Sequence, residues 1–257
     1  MAAVRQDEEG HRRFEGVLLD LWGTLLPYAE ESARRENLAE MARILEVDPT
    51  KFTNHWISTI GERCLGRLGS LEATIELLAT RLGGHPSSET VDRALELRME
   101  FSRVTLDRGE PLLPALDALR SGGFRLAIVS DSTEETVRLW PETRLSSRFE
   151  TAVFSFVEGA CKPDPRMYSR ALERLGLSPA DCLYVGDGGS RELTGAEAVG
   201  LTARKYRYPD EHRDAPRFDE DSHWRGPSLT DLRDLLALGP GRAQRLESVG
   251  SLGGLDS

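Results

Sequence analysis

Cysteine is scarce in this chain. Cys64, Cys161 and Cys182 are the only three in 257 residues, widely spaced and odd in number. Such a set suggests neither a disulfide framework nor a cysteine-ligated zinc site. Cys182 lies inside an apolar run and reads as a small core residue. No apolar run is long enough to span a membrane. Residues 1–13 are charged throughout and lack the apolar segment of a secretory leader. Positive charge is in deficit, 33 Lys and Arg against 43 Asp and Glu, for a net charge of −10. A general nucleic-acid or anionic-membrane surface is therefore not expected. The balance fits a cytoplasmic protein.

Lysine is rarer still than the overall charge suggests. Only Lys51, Lys162 and Lys205 occur, and the other thirty basic residues are arginine. Where arginine serves almost everywhere, a retained lysine marks a position where a compact ammonium and a planar fork are not interchangeable.

What the chain has in quantity is alternation. Val17-Leu18-Leu19 runs into Asp20, then turns through Leu21-Trp22-Gly23-Thr24. A buried strand reads this way, and it delivers a carboxylate to the sheet edge where open α/β folds bind ligands. There the acid can serve as a nucleophile or as a ligand for a hard cation. Three further strand-like runs follow. Phe124–Val129 leads into Ser130 and Asp131, Thr151–Phe156 precedes Lys162-Pro163, and Cys182–Gly186 ends in Asp187, with Glu192 five residues on.

Between the first strand and the rest the periodicity is helical. Helices are expected over Glu30–Leu45, Lys51–Gly66, Leu71–Leu82 and Ser88–Val104. From Pro114 strands and helices alternate as in a parallel sheet covered on both faces. Helices are expected at Pro114–Ser121, Pro165–Leu175, Leu193–Val199 and Leu229–Leu238, and a strand at Leu201–Tyr206. Residues 207–227 read as a polar loop. The organisation is a disordered N-terminus (1–13), an α/β core of Rossmann-like type (14–27 and 107–238), a helical insertion (28–106), and a Gly- and Ser-rich disordered tail (239–257).

The order Asp-x-x-Gly-Thr, Ser, Lys-Pro, Gly-Asp resembles the haloacid dehalogenase superfamily over roughly residues 14–237. The resemblance implies a helical cap inserted after the first strand and a hydrolase working through a covalent aspartyl intermediate. On it, Asp20 is the nucleophile, Thr24, Ser130 and Lys162 bind the substrate anion, and Lys162 also offsets charge during transfer. Asp20, Asp187 and the main-chain carbonyl of Trp22 would hold Mg²⁺, with Glu192 standing where an aspartate is more usual.

Trp22 departs from the family's phosphatases, which place an aspartate there to protonate the leaving oxygen. Indole has only a donor and cannot exchange a proton near neutral pH. Dehalogenases carry an aromatic residue at this place but lack the metal-binding aspartate that Asp187 matches. The expected activity is a Mg²⁺-dependent phosphatase acting on a small phosphorylated metabolite, as a monomer or homodimer. The alternatives are a 2-haloacid dehalogenase acting on a halogenated substrate, and a non-catalytic phospho-ligand binder. The missing acid would come from the insertion, with His55, Glu62 and Glu72 as candidates, or be unnecessary for a good leaving group. Arg63 or Arg67 would meet an anionic group of the substrate, and Lys51 is the one lysine open to Schiff-base chemistry.

Overall fold

A computed structural model describes residues 13–207 and 224–240. Strand β1 (Gly16–Leu19) is followed by five helices, α1 (Glu31–Ile44), α2 (Pro49–Ser58), α3 (Ile60–Cys64), α4 (Leu71–Arg81) and α5 (Ser88–Leu106). The chain then alternates through α6 (Leu113–Ser121), β2 (Arg125–Ser130), α7 (Glu134–Leu139), β3 (Thr151–Phe154), α8 (Ser155–Glu158), α9 (Pro165–Leu175), β4 (Cys182–Gly186), α10 (Glu192–Ala198) and β5 (Thr202–Tyr206). A two-residue strand, β6 (Ser228–Leu229), and a 3₁₀ turn at Leu232–Leu238 complete it.

The sheet order is β3-β2-β1-β4-β5-β6, with every pairing parallel. The chain builds outward from β1 on one side, then crosses back to lay β4 on the other. Ligands bind at such a reversal, outside the carboxyl ends of the strands. Asp20 and Asp187 follow β1 and β4, which are neighbours paired Leu19 to Val185.

Strand alternation splits the core in two. Val17, Leu19, Ile128, Leu183 and Val185 pack on one face, while Leu18, Ala127, Val129 and Tyr184 pack on the other. Both faces are covered, which explains why these strands read as continuous apolar runs. The helices α1 to α5 have a third cluster of their own, built on Leu38, Met41, Phe52, Trp56, Ile75, Leu78 and Ala94.

Several expected elements differ in detail. The helix expected over Lys51–Gly66 divides at Thr59, whose hydroxyl donates to the carbonyls of His55 and Trp56, both at 3.1 Å. Such back-bonding competes with the helical ladder. The strand expected to reach Phe156 stops at Phe154, because Ser155 turns its hydroxyl to Ser132. It accepts from Ser132 N at 2.9 Å and donates to Ser132 O at 3.2 Å. The last helix is a 3₁₀ turn started by Asp231, whose carboxylate accepts from Arg233 N. Arg13, expected in a disordered terminus, donates from Nη1 to Ala237 O at 2.8 Å. Residues 1–12, most of the expected loop (208–223) and the tail 241–257 lie outside the described residues.

Candidate active site

Asp20 leaves β1 with its amide donating to Val185 O at 2.9 Å, which locks its position to the adjacent strand. Its side chain is 3 % exposed. Thr24 Oγ1 donates to Asp20 Oδ2 at 3.1 Å, and Lys162 Nζ donates to Asp20 Oδ1 at 2.5 Å. The same ammonium donates to Glu192 Oε2 at 2.5 Å. One cation is thus clamped between two buried carboxylates. Burial alone would lower the Lys162 pKa, but Asp20 and Glu192 raise it well above the ordinary value.

Glu192 is fully buried, and the backbone before it explains how a helix-start glutamate points inward. Gly188, Ser190 and Arg191 all take positive φ, at 97°, 55° and 52°. The chain therefore twists between Asp187 and α10, and the Glu192 carboxylate turns back on the loop. There Gly188 N donates to Oε1 at 2.9 Å and Tyr184 Oη donates to Oε2 at 2.6 Å. A Cβ on Gly186 would lie 2.1 Å from Glu192 Oε1, so the glycine is required for that approach.

Asp187 holds the other side. Its Oδ1 accepts from Gly189 N at 2.9 Å. Burial, and then the charge of Glu192, push its carboxyl up to about 7. Burial and Glu192 likewise raise Asp20. Asp20, Asp187 and Glu192 each bring an oxygen within 4.8 Å of the others. Three acids beside one lysine, Asp20 and Glu192 buried and Asp187 partly so, form a hard-oxygen set short of positive charge, which fits a small divalent cation. Glu192 is committed to Lys162, Tyr184 and Gly188, leaving Asp20 and Asp187 as the carboxylates to meet such an ion. The Trp22 carbonyl lies near Asp187. Tyr28 Oη donates to Trp22 O at 3.2 Å and to Asp187 Oδ2 at 3.4 Å, so one hydroxyl already bridges these two oxygens. Gly23 makes this proximity possible, since a Cβ there would sit 1.9 Å from Asp187 Oδ2.

The acids open into a cleft of about 530 Å³ whose lining includes Asp20, Trp22, Tyr28, Asp131, Ser132, Lys162 and Asp187. Helices α1, α3 and α5 form another part of its wall, with Arg34, Ile60, Arg98 and Phe101. Ser130 and Ser132 are both buried, their Oγ atoms 2.8 Å apart, and of the two only Ser132 lines the cleft. Asp131 accepts from Lys162 N at 2.9 Å and so helps hold the lysine's backbone. His55, Glu62, Glu72, Arg67 and Lys51 are not lining residues. Glu72 is engaged by Arg138 at 2.6 Å. Arg63 lies buried behind the lining. The sequence pattern did not single out Tyr28, Glu135 or Arg98. No local motif marks them; Glu135 and Arg98 meet through the packing of α5 on α7, and Tyr28 folds back from the loop after β1.

Comparison with known proteins follows the same lines. A family model described as haloacid dehalogenase-like hydrolase matches residues 14–200. A glyceraldehyde 3-phosphate phosphatase of Methanopyrus kandleri is 28 % identical, covering 80 % of this chain and 90 % of that protein. A phosphoglycolate phosphatase of Nitrosospira multiformis is 30 % identical, covering 86 % and 95 %. A Bacteroides thetaiotaomicron enzyme solved with magnesium and inorganic phosphate aligns at TM-score 0.58 and 17 % identity, over 77 % of this chain and 98 % of that one. A 2-haloacid dehalogenase of Pseudomonas syringae aligns at TM-score 0.61 and 24 % identity, over 88 % and 97 %. At these identities the two solved structures establish the fold alone.

Proposed function

This chain belongs to the haloacid dehalogenase-like hydrolases, and from that premise we propose that it is a Mg²⁺-dependent phosphatase of small phosphorylated metabolites, working through an aspartyl-phosphate on Asp20. The observation that carries the reading is the acid-rich floor, where Lys162 is bound between Asp20 and Glu192 while Asp187 stands beside them with its carboxyl pushed up to about 7. A metal-free dehalogenase has no use for Asp187 in that place.

In this reading Asp20 attacks phosphorus, the bond from phosphorus to the leaving oxygen breaks, and a covalent aspartyl-phosphate forms. Water then attacks the same phosphorus, releasing inorganic phosphate and restoring the carboxylate. Lys162 offsets the charge that gathers on the transferring oxygens. Thr24 fixes the rotamer of Asp20, and the cleft-lining groups of Ser132 and its loop receive the phosphoryl oxygens in place of Ser130. Asp20, Asp187 and the Trp22 carbonyl would hold Mg²⁺, which when bound supplies positive charge against the phosphoryl group. With tryptophan at position 22, the leaving oxygen departs best when it needs no proton, as in an acyl phosphate. Residues 28–106 act as the cap, with their own core, over residues 14–27 and 107–238. Three unpaired cysteines suit a reducing, cytoplasmic setting, and a monomer or homodimer suffices.

Trp22 is the one feature that favours dehalogenation, in which halide leaves without a proton. A single screen separates the two chemistries: acyl phosphates, alkyl phosphates and 2-haloacids, each with Mg²⁺ and with chelator. Mg²⁺-dependent phosphate release is expected. Halide release that persists in chelator would replace the phosphatase reading with dehalogenation.

A further inference from the structure

Where α3 and α5 meet α7, the same cleft carries a second charge cluster, of the reverse sign. Arg98 Nε donates to Glu135 Oε1 at 2.8 Å, and Arg63 Nη1 lies 3.9 Å from the same oxygen. Glu135, on α7, is 2 % exposed, Arg63 6 % and Arg98 13 %. Both guanidinium groups lie over Trp56, at 4.4 and 5.5 Å from its ring. Burial would raise the Glu135 pKa, but Arg98 and Arg63 outweigh it and hold the carboxyl at about 2.

The accounts of charge and of hydrogen bonds both fall short here. Two guanidinium groups, Arg63 buried and Arg98 at the cleft wall, share one carboxylate, which leaves one positive charge over. Arg63 donates from Nη2 to Trp56 O at 3.1 Å, while its Nε and Nη1 are buried without a hydrogen-bond partner. Arg34, on the same cleft wall, is paired with Glu31 at the surface, and its Nε is likewise buried without a partner. Native proteins rarely leave such groups unsatisfied, and a surplus buried charge is costly. Arg98 lines the cleft that Asp20 also lines, and it reaches Asn37 Oδ1 only at 3.5 Å. A volume of about 530 Å³ accommodates a small metabolite, and Asp20 and Arg98 both line it.

We propose that Arg98, with Arg34 on the same wall, receives a carboxylate of the substrate while the phosphoryl group sits at Asp20. Among phosphate esters, the preferred substrates are then small monoesters that bear one carboxylate. A carboxylate brings the single negative charge that the cluster lacks, whereas a second phosphate would bring nearly two. It also offers two oxygens to a planar fork. The proposal rests on the phosphatase reading and specifies which phosphates it concerns.

The test is steady-state hydrolysis, with Mg²⁺, of matched esters that differ in the carboxylate: 2-phosphoglycolate against 2-hydroxyethyl phosphate, and O-phosphoserine against O-phosphoethanolamine. Ethylene glycol bisphosphate carries the second-phosphate arm. Wild type should favour the carboxylate member about 10- to 100-fold in kcat/KM, mainly through KM, as one charge-assisted contact would give. Arg98→Lys keeps the charge without the fork, and Arg34→Met changes a half-exposed side chain that the fold tolerates. Each should move the preference toward one. Equal use of matched esters by wild type, or a preference unchanged in both variants, would overturn the subsite while leaving the phosphatase reading intact. Preference for the bisphosphate would overturn the carboxylate assignment. Turnover of acyl phosphates but of no ester would overturn the subsite and leave the phosphatase reading standing. If neither esters nor acyl phosphates are turned over with Mg²⁺, the phosphatase reading falls and the subsite with it.

Discussion

The two ends of the cleft are built as opposites. At the floor, one lysine sits among three carboxylates, Asp20, Asp187 and Glu192. At the roof, one carboxylate, Glu135, sits beside two arginines, buried Arg63 and cleft-lining Arg98, with Arg34 nearby. Each end is incomplete in its own sign. The floor wants a cation and the roof an anion, and a Mg²⁺ ion with a carboxylated phosphate ester would supply both. The difference teaches that charge left unbalanced in a protein interior describes the missing ligand.

The most severe way to break the contrast is at the floor. Asp20→Asn keeps the size and the strand position but removes the nucleophilic charge. Turnover should fall on the order of 10⁴-fold or more with the fold intact by circular dichroism. A folded variant with near wild-type rates would end the case for covalent catalysis. Asp187→Ala should weaken Mg²⁺ binding by more than about 100-fold, since even partners one step removed from a metal cost 10- to 100-fold. Calorimetric titration reads this without any substrate, and an unchanged affinity would move the ion elsewhere.

Adding a fourth acid sharpens the comparison from the other direction. Trp22→Asp should shift turnover toward alkyl phosphates over acyl phosphates by about 10-fold or more, because general acid catalysis is worth about 10²- to 10⁴-fold when well placed. Mg²⁺ affinity and stability measured on the same variant separate this gain from added repulsion. No change in the ratio would mean that another group protonates the leaving oxygen.

The two ends should also answer pH in opposite senses. Glu135 is held at about 2, below its ordinary 4.5. The stability it contributes is present above pH 4.5 and is lost as pH falls toward 2, about 3 kcal/mol in all. Asp187 lies at about 7, above its ordinary 3.8. The native protein then keeps a proton that the unfolded chain releases, so stability falls as pH rises from about 4 to 7. Thermal midpoints measured in chelator from pH 3 to 8 should show both limbs. Glu135→Gln should flatten the acid limb and Asp187→Asn the neutral one, and a variant that leaves its own limb unaltered would refute that assignment.

The smallest effect concerns Tyr28. Its hydroxyl donates to Trp22 O and Asp187 Oδ2, the oxygens a cation would take. Tyr28→Phe should tighten Mg²⁺ binding a few-fold, as the loss of a modest hydrogen bond implies. Weaker binding in the variant would show that the hydroxyl supports the ion instead of competing with it.

The floor was largely legible in the sequence and the roof was not. Asp20 and Asp187 end apolar runs, and Lys162 stands out in a chain that otherwise uses arginine. These are local signals, carried by the strands themselves. Glu192 was only half legible, because its inward turn depends on the left-handed backbone at Ser190 and Arg191, which no composition announces. Arg98 and Glu135 look like ordinary charges on helical surfaces. They become an ion pair only because α5 packs on α7, a contact between residues far apart in the chain. Ser130 shows the limit of strand-end reasoning. It ends β2 as expected, yet of the two serines only Ser132 lines the cleft.

The separate hydrophobic core of the helices has a consequence for how such a protein diversifies. Leu38, Phe52, Ile75 and Leu78 pack among themselves and not into the two layers that flank the sheet. Substitutions within that helical cluster can therefore accumulate, or be engineered, without disturbing the strands that aim Asp20 and Asp187. Inheritance of the reaction is decoupled from inheritance of the substrate, and a lineage can exchange one metabolite for another while its chemistry stays fixed.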